Sequence, residues 1–144
     1  MNAVYLDSNV FIAACIERPT SKSARELLKS IRTGKHPKAK TSSLTIDEVF
    51  WIIKKNKGES SAITAAEAIL TTPHLDIVPV TRQTLWGAIK IIKSFHLNPR
   101  DALHASCAIE HGIQIIISED SDFEKIPMLK RKPLDASHRP NKIV

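Results

Sequence analysis

Residues 4–12 read Val4-Tyr5-Leu6-Asp7-Ser8-Asn9-Val10-Phe11-Ile12, which is a short apolar run, three polar residues and a second apolar run. The first run has the length of a buried strand, and the second opens a helix that can pack against it. Asp7 stands where the predicted strand ends. In α/β folds the carboxyl ends of the strands face the ligand site. The stretch therefore predicts an α/β protein with an acid at the functional edge of its sheet, although Asp7 also suits a simple helix cap.

The rest of the chain alternates in the same way between strand and helix patterns. Strands are predicted at residues 3–6, 75–80 and 113–117, with an extended piece at 38–43 and one more short strand near 133–136. Helical patterns fill the segments between them. Strands that alternate with helices favour a mainly parallel sheet covered on both faces. Residues 1–144 are predicted to form a single domain, of which 125–144 is a basic C-terminal segment.

Composition fits an ordinary globular protein, with 42% hydrophobic and 25% charged residues. Cys15 and Cys107 lie in apolar helical patterns without CxxC spacing, which favours small core residues in a reducing cytoplasm over a zinc site or a disulfide. Asp7 comes too soon after the first residue for a secretory signal. No apolar run approaches the ~20 residues that span a bilayer. We therefore expect a cytoplasmic protein without a membrane segment.

Four further acids stand at positions where chemistry is expected. Asp120 and Asp122 directly follow the strand predicted at 113–117, and Asp101 lies in the first turn of a helix that Asn98 begins. Glu48 interrupts a strongly apolar helical segment, where a buried acid needs a partner or a metal. Each has an ordinary alternative: a helix cap for Asp101, and a solvated loop for Asp120 and Asp122. Periodicity also leaves open whether Glu48 or its neighbour Asp47 faces the site.

The charge balance points to a polyanion as the partner. The net charge is +6, and setting aside the five candidate acids leaves 21 Lys and Arg against ten acids. Carboxylates that converge at one sheet edge repel one another unless a hard cation such as Mg²⁺ or Mn²⁺ neutralises them. An acidic metal pocket within a basic surface predicts phosphate chemistry on a nucleic acid.

Taken in order, these motifs resemble the PIN-domain nucleases, and among them the VapC-type toxin ribonucleases of toxin–antitoxin pairs. The matching stretches are residues 4–12 around Asp7, 41–49 around Glu48, 99–105 around Asp101, and 112–123 with Asp120 and Asp122. The resemblance implies that Asp7, Glu48, Asp101 and Asp120 are the catalytic, metal-binding acids. Asp122 would be a further or supporting metal ligand. Asn9 and Ser118 would support the site, with Ser118 standing where threonine is commoner.

The resemblance also implies a three-layer α/β/α fold and Mg²⁺- or Mn²⁺-dependent endoribonuclease activity on RNA. It further implies a homodimer and a small antitoxin protein that inhibits it. Two alternatives stay open within the family: a PIN-like module that binds RNA or protein without cutting, and a housekeeping PIN ribonuclease. A phosphohydrolase that uses Asp7 as a covalent nucleophile is disfavoured, because Asn9 stands where such enzymes usually need a second aspartate.

Three expectations concern the aromatic residues and histidines. His104, one turn after Asp101, is interpreted as a helix-surface residue rather than a substrate contact. Trp51, Trp86 and Phe123 are candidates for stacking a base, although helical spacing places the two tryptophans in the core. A surplus of apolar helix residues favours a dimer; these are Leu44, Phe50, Trp51, Ile53, Leu85, Trp86 and Ile89.

Overall fold

The computed structural model describes residues 3–137 and contains five strands, seven α-helices and a short 3₁₀ helix. In chain order these are β1 (Val4–Leu6), α1 (Ser8–Cys15), α2 (Ser21–Arg32), β2 (Ala39–Ser42), α3 (Ser43–Lys57), α4 (Glu59–Leu70), β3 (Leu75–Val78), α5 (Arg82–Phe95), α6 (Pro99–Glu110), β4 (Ile115–Ile117), the 3₁₀ helix (Ser121–Lys125), β5 (Lys130–Lys132) and α7 (Leu134–Ser137).

The five strands form one parallel sheet in the order β3-β2-β1-β4-β5. The strand β1 lies at the centre, and the chain reverses its direction of winding on either side of it. Such a switch point opens a crevice outside the carboxyl ends of the strands. The first strand pattern therefore forms the middle of the sheet, as the predicted α/β class requires, and β3 lies at an edge.

Two apolar cores cover the two faces of the sheet. Helices α1 to α4 pack on one face, around Leu6, Leu27 and Ile53. Helices α5 and α6 pack on the other, together with the 3₁₀ helix and Tyr5. Neighbouring residues of β1 therefore face opposite layers, as strand geometry dictates. The predicted three-layer α/β/α architecture with a parallel central sheet is confirmed.

The end of the chain differs from its prediction. The fifth strand is Lys130–Lys132, and residues 134–137 form a short helix instead of a strand. The reason lies in two contacts: the backbone N–H of Lys130 donates to the Gln114 carbonyl at 2.7 Å, and that of Leu134 donates to a Glu119 carboxylate oxygen. Part of the basic segment 125–144 is thus built into the sheet, while residues 138–144 lie outside the described chain.

The two tryptophans are exposed, which corrects their placement in the core. Trp51 is 55% exposed and Trp86 is 62% exposed. Helix α5 packs through Thr84, Ala88 and Ile91, and Trp86 lies on its opposite face. Phe123, by contrast, is fully buried and cannot stack a base. None of the helices within residues 3–137 combines the length and apolarity that a bilayer crossing requires.

Candidate active site

The register of the central strands brings Asp7 beside Ser118. Leu6 of β1 pairs with Ile117 of β4, so the next residue of each strand stands at the same carboxyl edge. Ser118 Oγ donates a hydrogen bond to Oδ2 of Asp7 at 2.6 Å, and the backbone N–H of Ser8 donates to Oδ1 at 2.7 Å. Asp7 therefore caps α1 and also lies beside Ser118 at the carboxyl edge, so the cap does not exclude the predicted functional role.

Ser118 connects three of the residues predicted to support or form the site. Its Oγ accepts hydrogen bonds from Nδ2 of Asn9 at 3.2 Å and from the backbone N–H of Asp120 at 3.0 Å. It is fully buried. Oδ1 of Asn9 is also buried, and it has no hydrogen-bond partner among residues 3–137. An acceptor oxygen left unpaired inside an acidic site fits a position that a cation or water fills.

Asp101, Asp120 and Asp122 form an acidic trio beside Asp7. Each offers one carboxylate oxygen, and these three oxygens lie within 4.8 Å of one another. Asp101 is in the first turn of α6, at the positive end of the helix dipole. Asp120 and Asp122 belong to a 3₁₀ turn in which the backbone N–H of Asp122 donates to Oδ1 of Asp120 at 2.9 Å. This acidic segment is therefore a hydrogen-bonded turn.

Glu48 enters the site from α3 through a histidine. Its Oε1 lies 2.5 Å from Nε2 of His104, and the same nitrogen lies 3.5 Å from Oδ1 of Asp7. Asp47, the neighbour that periodicity did not separate from Glu48, is exposed. It lines a surface hollow with Trp51 and Lys54 instead.

His104 is the site residue that sequence reasoning missed. It is 1% exposed rather than on the helix surface, and the hydroxyl of Tyr5 lies 2.7 Å from its Nδ1. One signal in the sequence did indicate burial. The segment between Asp101 and Glu110 contains no charged residue, so this part of α6 has no face suited to water.

The electrostatics of the site favour a bound cation. Burial, together with the negative charges of Asp120 and Asp7, raises the pKa of Asp101 to about 7. Burial also raises the pKa of Asp7, although His104 and Ser118 oppose the shift. Burial alone would lower the pKa of His104, but the carboxylates of Glu48, Asp7 and Asp101 outweigh it and the pKa is raised. Every one of these shifts reduces the negative charge that the metal-free site carries.

The donor set fits a hard divalent ion. Carboxylate oxygens are the ligands that Mg²⁺ and Mn²⁺ prefer, and three of them converge here, with no cysteine in the group among residues 3–137. The unpaired Asn9 oxygen and the raised pKa of Asp101 are consistent with a place for positive charge. Residues Asp101, Asp120 and Asp122 could therefore hold a metal, with Asp7 adjacent to them.

A central parallel sheet with a buried Asp7 and partly buried acids near its carboxyl edge defines the class of protein. The sequence matches the PIN domain family over residues 4–129, and the chain belongs to that family. No curated protein sequence gives a match.

The fold is similar to those of several solved structures. One is DNA-bound VapBC from Salmonella typhimurium, with a TM-score of 0.73 and 18% identity over 93% of this chain and 99% of that one. A second is VapBC2 from Rickettsia felis bound to a promoter DNA fragment, with a TM-score of 0.72 and 18% identity over 91% and 98%. A third is VapC20 from Mycobacterium tuberculosis, a sarcin-ricin loop cleaving toxin, with a TM-score of 0.72 and 20% identity over 84% and 92%. At these identities the likeness establishes the fold.

Proposed function

We propose that this PIN-domain protein is a divalent-metal-dependent endoribonuclease and the toxin of a type II toxin–antitoxin pair. The observation that carries the proposal is the acidic trio of Asp101, Asp120 and Asp122, which lies beside Asp7 at the carboxyl edge of the sheet. VapC20, whose fold is similar, is a toxin that cleaves the sarcin-ricin loop. A complete set of acids also favours an enzyme over a PIN-like module that only binds RNA or protein.

Asp101, Asp120 and Asp122 would hold the metal, and Asp7 would add a further negative charge next to it. Bound Mg²⁺ or Mn²⁺ supplies a Lewis acid that stabilises charge on phosphate oxygens and makes water a better nucleophile at neutral pH. Asp7 is held by Ser118 and by the Ser8 backbone, so its carboxylate cannot rotate freely. Catalysis then depends on fixed carboxylates, which need no reorganisation when charge develops on the phosphate.

Cations at the rim of the acidic trio hold the RNA backbone. Arg100 is exposed and adjoins Asp101 in the first turn of α6. Lys125 belongs to the 3₁₀ helix, and its Nζ lies 3.3 Å from Oδ1 of Asp122. Contacts of this kind bind phosphates and position a strand without reading its bases. The proposed enzyme acts in the cytoplasm, where Cys15 and Cys107 stay reduced as free thiols.

A thermal-shift titration with Mn²⁺ separates this proposal from a merely RNA-binding protein. Mn²⁺ should raise the melting temperature of the wild-type protein in a concentration-dependent way, because a ligand that binds the folded state stabilises it. Asp101→Asn should lose most of this shift, while Asp47→Asn, which alters an exposed acid outside the trio, should keep it. Equal melting temperatures with and without Mn²⁺ would contradict the metal site.

A homodimer is part of the proposal, and an exposed apolar patch on α5 supports it. Leu85, Trp86 and Ile89 are 49%, 62% and 43% exposed and lie on one side of the helix. Exposed apolar groups that cluster on a soluble protein tend to mark interfaces. A second copy of the chain can cover this patch with its own α5 around a two-fold axis. Of the other residues expected at the interface, Trp51 is exposed and Ile53 is buried.

An antitoxin is the second proposed partner. A toxin–antitoxin complex from Klebsiella pneumoniae has a similar fold, and this likeness supports the second partner. This chain has an apolar groove between α1, α2 and α4, lined among others by Phe11, Leu28 and Ile69. An antitoxin segment that fills the groove could direct a cationic side chain at the carboxylates. Growth arrest on expression of the chain alone, relieved by the product of a neighbouring short gene, is the expected result.

A further inference from the structure

A buried tyrosine on the central strand is linked to two acids of the site through His104. Tyr5 is fully buried, and its hydroxyl lies 2.7 Å from Nδ1 of His104. The two rings meet edge to face, with centroids 5.6 Å apart. Nε2, at the other end of the imidazole, lies 2.5 Å from Glu48 Oε1 and 3.5 Å from Asp7 Oδ1. Strand β1 thus supplies Asp7 directly and, two residues earlier, the group that fixes His104.

The contacts at the two ends of the imidazole determine where its ring protons lie. Burial raises the pKa of Tyr5 well above its usual value, so the phenol stays protonated. When the imidazole is neutral, its ring proton lies on Nε2, because Nε2 faces the carboxylates of Glu48 and Asp7, and the Tyr5 hydroxyl then donates to the unprotonated Nδ1. When the imidazole is charged, the hydroxyl accepts from Nδ1 and Nε2 again carries a proton. In both states an N–H group faces Glu48 and Asp7.

We propose that Tyr5 is a positioning residue: it holds His104 so that the Nε2–H group keeps the carboxylates of Glu48 and Asp7 oriented for divalent-cation binding at the neighbouring aspartates. The inference rests on the proposed function, because it concerns the same metal site. The bonds to Ser8 and Ser118 fix Asp7 from one side. Among residues 3–137 the Glu48 carboxylate bonds to His104, so Glu48 is the acid that depends on Tyr5 most.

The test compares Tyr5→Phe with wild type in two measurements on purified protein. The first is a long-range ¹H–¹⁵N spectrum of histidine-labelled protein without metal. The wild type should show a slowly exchanging Nε2 proton for His104, and Tyr5→Phe should lose that signal or exchange it rapidly. The second is Mn²⁺ titration by calorimetry. Removing a residue that orients metal ligands weakens binding by about 10- to 100-fold, and we expect at least the lower figure.

Thr84→Val is the matched control, because Thr84 is another fully buried hydroxyl, bonded to Glu110 instead of an acid of the site. It should leave both the His104 signal and the Mn²⁺ affinity at wild-type values. If Tyr5→Phe does not fold, His104→Gln replaces it, since its amide can still donate to Glu48 but offers no Nδ1 to Tyr5; the same weakening is expected.

The positioning role would be overturned if the folded Tyr5→Phe variant bound Mn²⁺ with wild-type affinity. The same result for His104→Gln, where that variant replaces it, would also overturn the role. That result leaves the nuclease proposal intact. The nuclease proposal fails separately, if the wild-type protein binds no Mn²⁺ or cleaves no RNA when metal is present.

Discussion

Ser118 Oγ donates a 2.6 Å hydrogen bond to Oδ2 of Asp7, although the two residues lie 111 positions apart in the chain. Parallel pairing of β1 with β4 places them side by side, and burial protects the bond from water. The same oxygen of Ser118 accepts the N–H of Asp120. One hydroxyl therefore ties the acid that ends β1 to the acidic turn that follows β4.

Ser118→Ala should weaken the site without removing any acid. It leaves Asp7 and the Asp120 backbone N–H without a buried partner, which costs about 1–3 kcal/mol of unfolding free energy. Activity on RNA should fall by about tenfold or more, because the acids lose a group that orients them. Ser118→Thr keeps the hydroxyl and should restore both. Chemical denaturation and initial cleavage rates measure the two effects; an alanine variant as active as wild type would show that the bond is dispensable.

Glu48→Gln should remove most of the activity, while Asp47→Asn should cut RNA at nearly the wild-type rate. Glu48 is in contact with His104 inside the site, whereas Asp47 is exposed on the surface of α3. Both changes remove one negative charge from neighbouring positions of the same helix, so each serves as the control for the other. Initial rates under saturating Mn²⁺ are the measurement. The opposite ranking would assign the helical acid to Asp47.

Much of the fold followed from local patterns in the sequence. The apolar runs that end at Leu6 and Ile117 predicted buried strands, and the alternation with helices predicted a parallel sheet. The acids at strand ends were visible for the same reason, since Asp7 and Asp120 come directly after or close behind those runs. The last strand was misplaced because its three residues, Lys130 to Lys132, are all basic and carry no apolar signal.

The contacts between distant segments could not be predicted from the sequence. His104 is 99 residues from Tyr5 and 56 from Glu48, so no local spacing reveals that the three side chains meet. Trp86 was misplaced for a related reason. Helical spacing identifies an apolar residue but not which of two apolar faces packs, and α5 buries the face that contains Ala88 instead.

The stability of the metal-free protein should fall as pH rises from about 4 to 7. Asp101 has a pKa of about 7 when folded and about 3.9 when unfolded. The folded state therefore binds this proton more tightly. The resulting stabilisation is complete below the pKa of the unfolded state and is lost as the pH rises through the pKa of the folded state. The raised pKa of Asp7 acts in the same direction, and the raised pKa of His104 lowers the stability further as pH rises above about 6.5.

Asp101→Asn isolates this contribution, because asparagine stays neutral at every pH. Since Asp101 is only half-buried, screening should reduce the difference at pH 8 to about 1 kcal/mol, or roughly 3 °C in melting temperature, with the variant the more stable. At pH 4 the two proteins should melt together. Melting curves in EDTA across this range are the measurement, and a constant difference between the two proteins would show that Asp101 is not the titrating group.

Trp86→Glu should convert the proposed dimer to a monomer. A charge in the middle of the patch formed by Leu85, Trp86 and Ile89 would face its own copy across a two-fold axis, where like charges repel. Leu70→Glu is the control, because Leu70 is equally exposed but lies on α4. Light scattering over a wide concentration range measures the mass. A wild-type protein that is monomeric throughout would contradict the dimer, and a dimer that persists in the Trp86 variant would place its interface elsewhere.

Cleavage of single-stranded RNA by purified protein tests the central claim most directly. The assay compares wild type with Asp120→Asn, which removes one charge from the acidic trio and keeps the shape of the side chain. Wild type should cut in Mn²⁺ or Mg²⁺, stop in excess EDTA and resume when metal is restored. The cleavage rate of the variant should be at least about 100-fold lower, because removing one group that stabilises developing charge has an effect of this size. Undiminished cutting in EDTA, or a variant as fast as wild type, would contradict the account.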